Sequence, residues 1–276
     1  MTHQGTRDFA LEQSAAPKGE ATGDDHAVAL SARDLVVRYG GVAAVSGVSL
    51  DLRAGEVVGL IGPNGAGKSS ALGALGGQIK ITSGAITMGG RSIERLVPHK
   101  RARLGLVRTF QSTSEFEGMT VFENLVTAGQ GAEGAALMHV LFQRKVNRES
   151  EVRAIERAWS ILDRFEMAET ANAYGRELSG GQRRLVEIMR CLMRDPKVLL
   201  LDEPMVGVAP RLVAKLVNDL KTVRDDGIAL LIVEHALEVV SELCDRVVVM
   251  AQGEVICSGT YADAVANKDV RDAYLG

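Results

Sequence analysis

The sequence predicts an α/β fold: a mainly parallel sheet, an antiparallel β subdomain ahead of it, and a helical subdomain set into its middle. Three observations predict it. Short apolar runs separated by Gly40, Gly41 and Gly47 fill the stretch from Val28 to Arg53, the pattern of antiparallel strands. Val57–Ile61, Val198–Leu201 and Ala229–Val233 are continuous apolar runs, the mark of strands buried on both faces. Between Val121 and Met193, apolar residues recur at helical spacing with charges between them.

The elements follow in order. Residues 1–27 mix Asp8, Glu12, Glu20, Asp24 and Asp25 with Lys18 and small residues, and read as a disordered tail without the apolar segment of a secretory signal. The folded domain is expected from 28 to 276. After the strands of Val28–Arg53, the buried run Val57–Ile61 leads into a glycine-rich turn and a helix from Lys68 to about Ile79. A helical subdomain is expected over about 112–190, with helices at Val121–Thr127, Glu149–Phe165 and Gln182–Met193. Val198–Leu201 then returns as a buried strand, followed by an amphipathic helix, Leu212–Val223, and the strand Ala229–Val233, an alternation that implies a parallel sheet. Arg246–Gly259 reads as a hairpin turned at Gln252 and Gly253, and the remainder to Gly276 as one short helix.

Composition narrows the function classes. Of 276 residues, 46% are hydrophobic and 24% charged, an ordinary globular balance whose 4% aromatic content makes the core aliphatic. A net charge of −3 argues against nucleic acid as the main partner, which calls for a basic footprint. Cys191, Cys244 and Cys257 are odd in number and widely spaced, so neither a disulfide framework nor a zinc site fits, and a reducing compartment is the simpler reading. No stretch approaches the roughly 20 apolar residues of a membrane span. Ala135–Phe142, broken by His139 and followed by Arg144, Lys145 and Arg148, reads as a core helix in preference to a contact with a membrane surface or a membrane partner.

Three motifs carry the chemistry. Gly62-Pro63-Asn64-Gly65-Ala66-Gly67-Lys68-Ser69 has the spacing of a phosphate loop and lies between a buried strand and a helix. Its glycines let backbone N–H groups close around phosphates. The helix start adds partial positive charge, Lys68 reaches the outer phosphates, and the Ser69 hydroxyl, followed by Ser70, is a natural Mg²⁺ ligand. Val198–Leu201 ends in Asp202 and Glu203; an Asp so placed holds Mg²⁺, and the next acid polarises the attacking water. Leu178-Ser179-Gly180-Gly181-Gln182 opens a helix and forms a second anion-binding helix start, for which one chain alone has no obvious use.

Along the chain the phosphate loop, Gln111, Leu178–Gln182 and the strand ending in Asp202 and Glu203, in this order, resemble the ATP-binding cassette family over Ala29–Gly276. The resemblance implies a phosphate-loop NTPase core with ATP and Mg²⁺ as cofactors. It implies that Tyr39 stacks on adenine, that Gln111 senses Mg²⁺ and lines the contact with a membrane subunit, and that His235 is the switch histidine at the γ-phosphate. Two such domains pack head to tail, so Ser179, Gly180, Gly181 and Gln182 act on the partner's ATP. One departure is Ala209, where most members carry Asp or Asn.

Arg108-Thr109-Phe110-Gln111, Met119–Leu125, the long linker through Arg157 and the closing Ala273-Tyr274-Leu275-Gly276 resemble the larger ATPase subunit of bacterial uptake systems for branched-chain amino acids and related amides or urea. Gly180 stands where many of that group have Tyr. The resemblance implies a second ATPase subunit, identical or similar, two membrane permeases, an extracytoplasmic binding protein, and a peripheral place on the cytoplasmic face of the inner membrane. The competing class is a soluble cassette ATPase of translation or repair. One phosphate loop argues against the first, and the Lys68–Ser179 spacing, too short for a long coiled coil, against the second. A module that holds ATP without cleaving it is disfavoured by the presence of both Glu203 and His235.

Overall fold

A computed structural model describes residues 27–109, 117–129 and 144–275. Residues 1–26 of the expected tail, Gln111 and the run Ala135–Phe142 lie outside the described residues. The chain opens with β1 (Val28–Tyr39) and β2 (Val42–Arg53), antiparallel partners joined by a turn at Gly40 and Gly41. Buried β3 (Val57–Ile61) runs into the glycine-rich turn and α1 (Lys68–Gly76). Two strands with no clear apolar signature follow, β4 (Ser83–Met88) and β5 (Arg91–Ser92), then α2 (Pro98–Arg103) and β6 (Leu106–Arg108). The helical stretch holds α3 (Val121–Gly129), α4 (Arg144–Arg164) and α5 (Gly180–Leu192). The chain ends with β7 (Val198–Asp202), α6 (Pro210–Asp225), β8 (Ala229–Val233), α7 (Leu237–Leu243), β9 (Arg246–Ala251), β10 (Glu254–Gly259), α8 (Tyr261–Ala266) and α9 (Lys268–Leu275).

The strands form two sheets. One is antiparallel, in the order β2-β1-β4-β5, and the other has the order β10-β9-β3-β8-β7-β6. In the second, every pair is parallel except the terminal hairpin β9–β10. This explains why three strands are apolar at every position. Alternate side chains leave opposite faces: Leu199 and Leu201 of β7 enter the core shared with the helical stretch, whereas Val198 and Leu200 enter the core under the antiparallel sheet. β8 divides in the same way, Leu230 and Ile232 against Ala229, Leu231 and Val233. Gly59 in β3 clears space for α7, since a Cβ there would stand 2.9 Å from Cys244 Sγ.

Four expected boundaries are corrected. The helix expected from Glu149 already runs from Arg144, because its nearly all-polar first turns carry no apolar periodicity to read. The helix after the phosphate loop stops at Gly76, short of Ile79, because Gly77 turns left-handed (φ 83°) and Gln78 and Ile79 both donate to the Gly73 carbonyl. The helix expected at Leu212 begins at Pro210, a residue suited to a first helical turn. The C-terminal helix is two, because Asn267 ends α8 with extended dihedrals and its side chain accepts from the Asp269 N–H (2.8 Å) to start α9. Among the described residues, no helix is long and apolar enough to cross a membrane.

Candidate active site

The site lies where β3, β7 and β8 end side by side. The turn after β3 bends through Gly62 (φ 145°), Gly65 (φ 80°) and Gly67 (φ 97°). The first and last of these have no room for a side chain: a Cβ on Gly62 would lie 2.0 Å from the Met250 carbonyl oxygen, and one on Gly67 2.1 Å from that of Ala44. The β9–β10 turn braces the loop from below. Gly253 N–H donates to the Ala66 carbonyl (3.0 Å), and its own carbonyl accepts from Ser46 N–H (2.8 Å).

Lys68 is almost fully buried, and its ammonium donates to the carbonyls of Gly62 (2.8 Å) and Pro63 (2.9 Å). Burial lowers its pKa from the ordinary value, and the carboxylates of Glu203 and Asp202 oppose that shift. The amine is thus within the field of both acids while held at the mouth of the loop. Ser69 is exposed on the first turn of α1, and Asn64 and Gly65 are exposed on the loop. Tyr39, at the end of β1, is 53% exposed, and its hydroxyl stands 3.5 Å from Ser70 Oγ, which sets an aromatic face beside the start of α1.

Asp202 closes β7, and its carboxylate is buried. Oδ2 pairs with Arg108 at 2.9 Å, whereas Oδ1 is buried without a hydrogen-bond partner. A buried carboxylate oxygen left unpaired costs free energy unless a cation or donor completes it, so this residue fits a magnesium ligand. Among the described residues no cluster of three or more His, Cys, Asp or Glu could hold a metal by itself.

Glu203 takes a left-handed conformation (φ 48°), uncommon for a residue with a side chain. Several contacts hold it there. Its N–H donates to the Val233 carbonyl (2.9 Å), Arg184 of α5 donates to its carbonyl (2.7 Å) and to that of Asp202, and its Oε1 lies 3.1 Å from His235 Nε2. Glu234, 3% exposed, accepts from the N–H groups of Met205 (2.8 Å) and His235 (3.0 Å), locking together the two segments that carry the acid and the histidine.

Sequence reasoning missed Arg184, Glu234 and Arg108. Glu234 had a readable signal, an acid directly after an all-apolar strand and before the histidine. Arg184 had none, because helical spacing does not say what an arginine reaches across a domain.

The expected second anion site is built as a capped helix start. Ser179 is the N-cap of α5: its Oγ accepts from Gln182 N–H (3.3 Å) and the Gln182 side chain accepts from Ser179 N–H (3.0 Å). Ser179 and Gly180 are exposed, and Gly181 packs toward Val208 and Leu212. Among the described residues, no hydrogen bond joins 179–182 to the phosphate loop of the same chain. A cavity of about 690 Å³ opens on the other side of β6, lined among others by Gln78, His99, Leu106, Arg108, Glu187 and Cys191.

Comparison with known proteins agrees with this geometry. A family model described as ABC transporter matches residues 45–206, and one described as branched-chain amino acid ATP-binding cassette transporter matches 254–276. The high-affinity branched-chain amino acid transport ATP-binding protein LivG of Salmonella typhimurium is 38% identical over 248 residues, spanning 90% of this chain and 97% of its own. BraF of Pseudomonas aeruginosa, described in the same words, is 38% identical over 252 residues with the same coverage. Among solved structures, a nucleotide-free ATP-binding cassette from an ABC transporter superposes with a TM-score of 0.80 at 32% identity, covering 91% of this chain and 100% of that one. The ADP conformation of such a cassette gives 0.79 at 34% identity, covering 91% and 99%. With a phosphate loop, a strand-end Asp-Glu pair and a capped signature helix in one fold, and with these relatives, the chain belongs to the ABC transporter family as an ATP-binding, ATP-hydrolysing cassette.

Proposed function

We propose that this chain is the nucleotide-hydrolysing subunit of an importer for branched-chain amino acids or related amides or urea, working head to tail with a second cassette to drive membrane permeases. The observation that carries the reading is an imbalance within one chain. The hydrolytic set Lys68, Asp202, Glu203 and His235 is assembled in cis, whereas Ser179 and Gly180 at the helix start are exposed and, among the described residues, 179–182 make no hydrogen bond to that set. A second copy, or a similar cassette, would bring its own helix start over this ATP. The match of 254–276 to a branched-chain amino acid transporter model, and the names of the relatives, support the substrate class. In this reading the cavity beside β6, a few residues before Gln111, would receive a permease segment, and the chain would work peripherally on the cytoplasmic face of the inner membrane.

The chemistry follows from the geometry. Tyr39 would stack on adenine, and the N–H groups from Asn64 to Ser70 with Lys68 would hold the phosphates, the carbonyls of Gly62 and Pro63 fixing where the amine waits. Bound Mg²⁺ would neutralise charge on the transferring phosphoryl group, with Ser69, Asp202 and Gln111 as the protein groups that hold it. Glu203 would take the proton of the attacking water. His235, 3.1 Å from the same carboxylate, aims it and lies at the strand end where the γ-phosphate arrives.

Changing Glu203→Gln tests the assignment. Phosphate release should fall about 10²- to 10⁴-fold, the usual worth of a general base, while binding of a fluorescent ATP analogue is retained. Unchanged turnover would sink the mechanism. Copurification with permeases tests the transport role, and full activity as a free homodimer would favour the soluble class.

A further inference from the structure

Arg108 takes no part in the chemistry above, yet its guanidinium forms the ion pair with the Asp202 carboxylate. Nη2 stands 2.9 Å from Oδ2, with Arg108 15% and Asp202 4% exposed at the side chain. Its path is prepared by the phosphate-loop helix. A Cβ on Gly76 would approach Arg108 Cδ to 3.2 Å and one on Gly73 would approach Nη1 to 3.3 Å, so two glycines one turn apart on α1 clear the groove in which the side chain lies. Nη1 also stands 3.2 Å from Gln78 Oε1, and the residue lines the cavity beside β6.

The charges around the strand ends therefore nearly balance: the carboxylates of Asp202 and Glu203 lie in the field of Lys68, and Asp202 pairs with Arg108. Arg184, itself paired with Glu187, reaches both acids' carbonyls, leaving buried Glu234 as the further acid there. A site so balanced has little net pull on a free dication. Phosphates supply the missing negative charge, so the metal is drawn in with the nucleotide rather than ahead of it. We propose that Arg108 is a positioning residue that occupies one oxygen of Asp202 and keeps the site from taking up a divalent cation until nucleotide phosphates arrive. The cavity at its back gives the guanidinium room to yield when they do.

This rests on the reading of Asp202 as the magnesium ligand, and the test separates the two. Mn²⁺ is titrated into the purified full chain without nucleotide and followed by electron paramagnetic resonance, with Mg²⁺-dependent melting as a second readout. Arg108→Met should bind Mn²⁺ at least about five-fold more tightly than the parent, the lower end of a typical coupling between two sites, and should gain a Mg²⁺-dependent rise in melting temperature that the parent lacks. Arg108→Gln, which keeps donors without charge, should do the same and stands in if the methionine variant does not fold. Arg108→Lys should behave like the parent. The gain should vanish in the Arg108→Met, Asp202→Asn double variant. Equal Mn²⁺ affinity in the parent and in both uncharged variants would overturn the proposal. Failure of Mg²⁺ to tighten ATP binding in the parent would instead overturn the role of Asp202.

Discussion

Glu203 shows how much of this site depends on single residues held against their own preferences. A left-handed glutamate costs on the order of 1–3 kcal/mol, and it persists because Arg184, the Val233 carbonyl and His235 each hold a different part of it. Arg101 serves the opposite end of α1. Only 2% exposed, it donates to the carbonyls of Ala74, Leu75, Leu96 and Glu94, placing a cation where the helix leaves its last carbonyls unpaired. Two of the three cysteines, buried Cys191 and half-buried Cys244, are quiet by comparison. Burial pushes the thiols of Cys191 and Cys244 up to about 12 from the ordinary 9.0. Their folded pKa values are raised, so their contribution to stability is complete below pH 9 and is lost as pH rises toward 12. Iodoacetamide at pH 8 should leave both unmodified in the folded chain and label both in urea, as peptide mass spectrometry would read. Rapid labelling of either in the folded chain would contradict the burial.

Among the elements, helix starts decide most. α5 and α8 begin with complete capping boxes, Ser179 with Gln182 and Thr260 with Asp263. α6 does not: its N-cap is Ala209, exposed, extended (φ −63°, ψ 142°) and without a side-chain acceptor, so only Pro210 favours the start. Ala209→Asp should supply the missing acceptor and stabilise the chain by about 1 kcal/mol, read as a shift in the urea midpoint. No gain would mean that the first turn of α6 is held by packing alone. The same departure from the family's Asp or Asn lies beside the signature helix, because Val208 packs against Gly181. Most helix extents were legible to within a turn, but α4 begins at Arg144, well ahead of the expected Glu149. Helix ends were not legible, since Gly77 and Asn267 act through dihedrals and local caps that periodicity does not encode.

For the whole molecule, the test concerns which side of the site the signature helix serves. If Ser179–Gln182 act in trans, Ser179→Arg should leave fluorescent nucleotide binding to the separate chain within about twofold while hydrolysis in the assembled transporter falls by at least tenfold, by removing a preorganised donor from the reacting phosphate. A parallel loss of binding in the separate chain would place the helix in cis.

The sequence by itself determined the sheet core, the phosphate loop, the acids at the end of β7, and the capped signature helix. Each is written locally: in a continuous apolar run, in glycine spacing, or in a Ser-to-Gln interval that one turn of helix makes meaningful. Only the tertiary structure decided what those acids answer to. Arg108 and Asp202 are 94 positions apart, Arg184 and Glu203 19, and Glu203 and His235 32. They meet because β6, β7 and β8 pair in parallel register and end together, while Arg184 reaches the strand end from α5. Strand pairing order and the reach of long side chains are set by how buried faces fit together, and no interval along the chain records that.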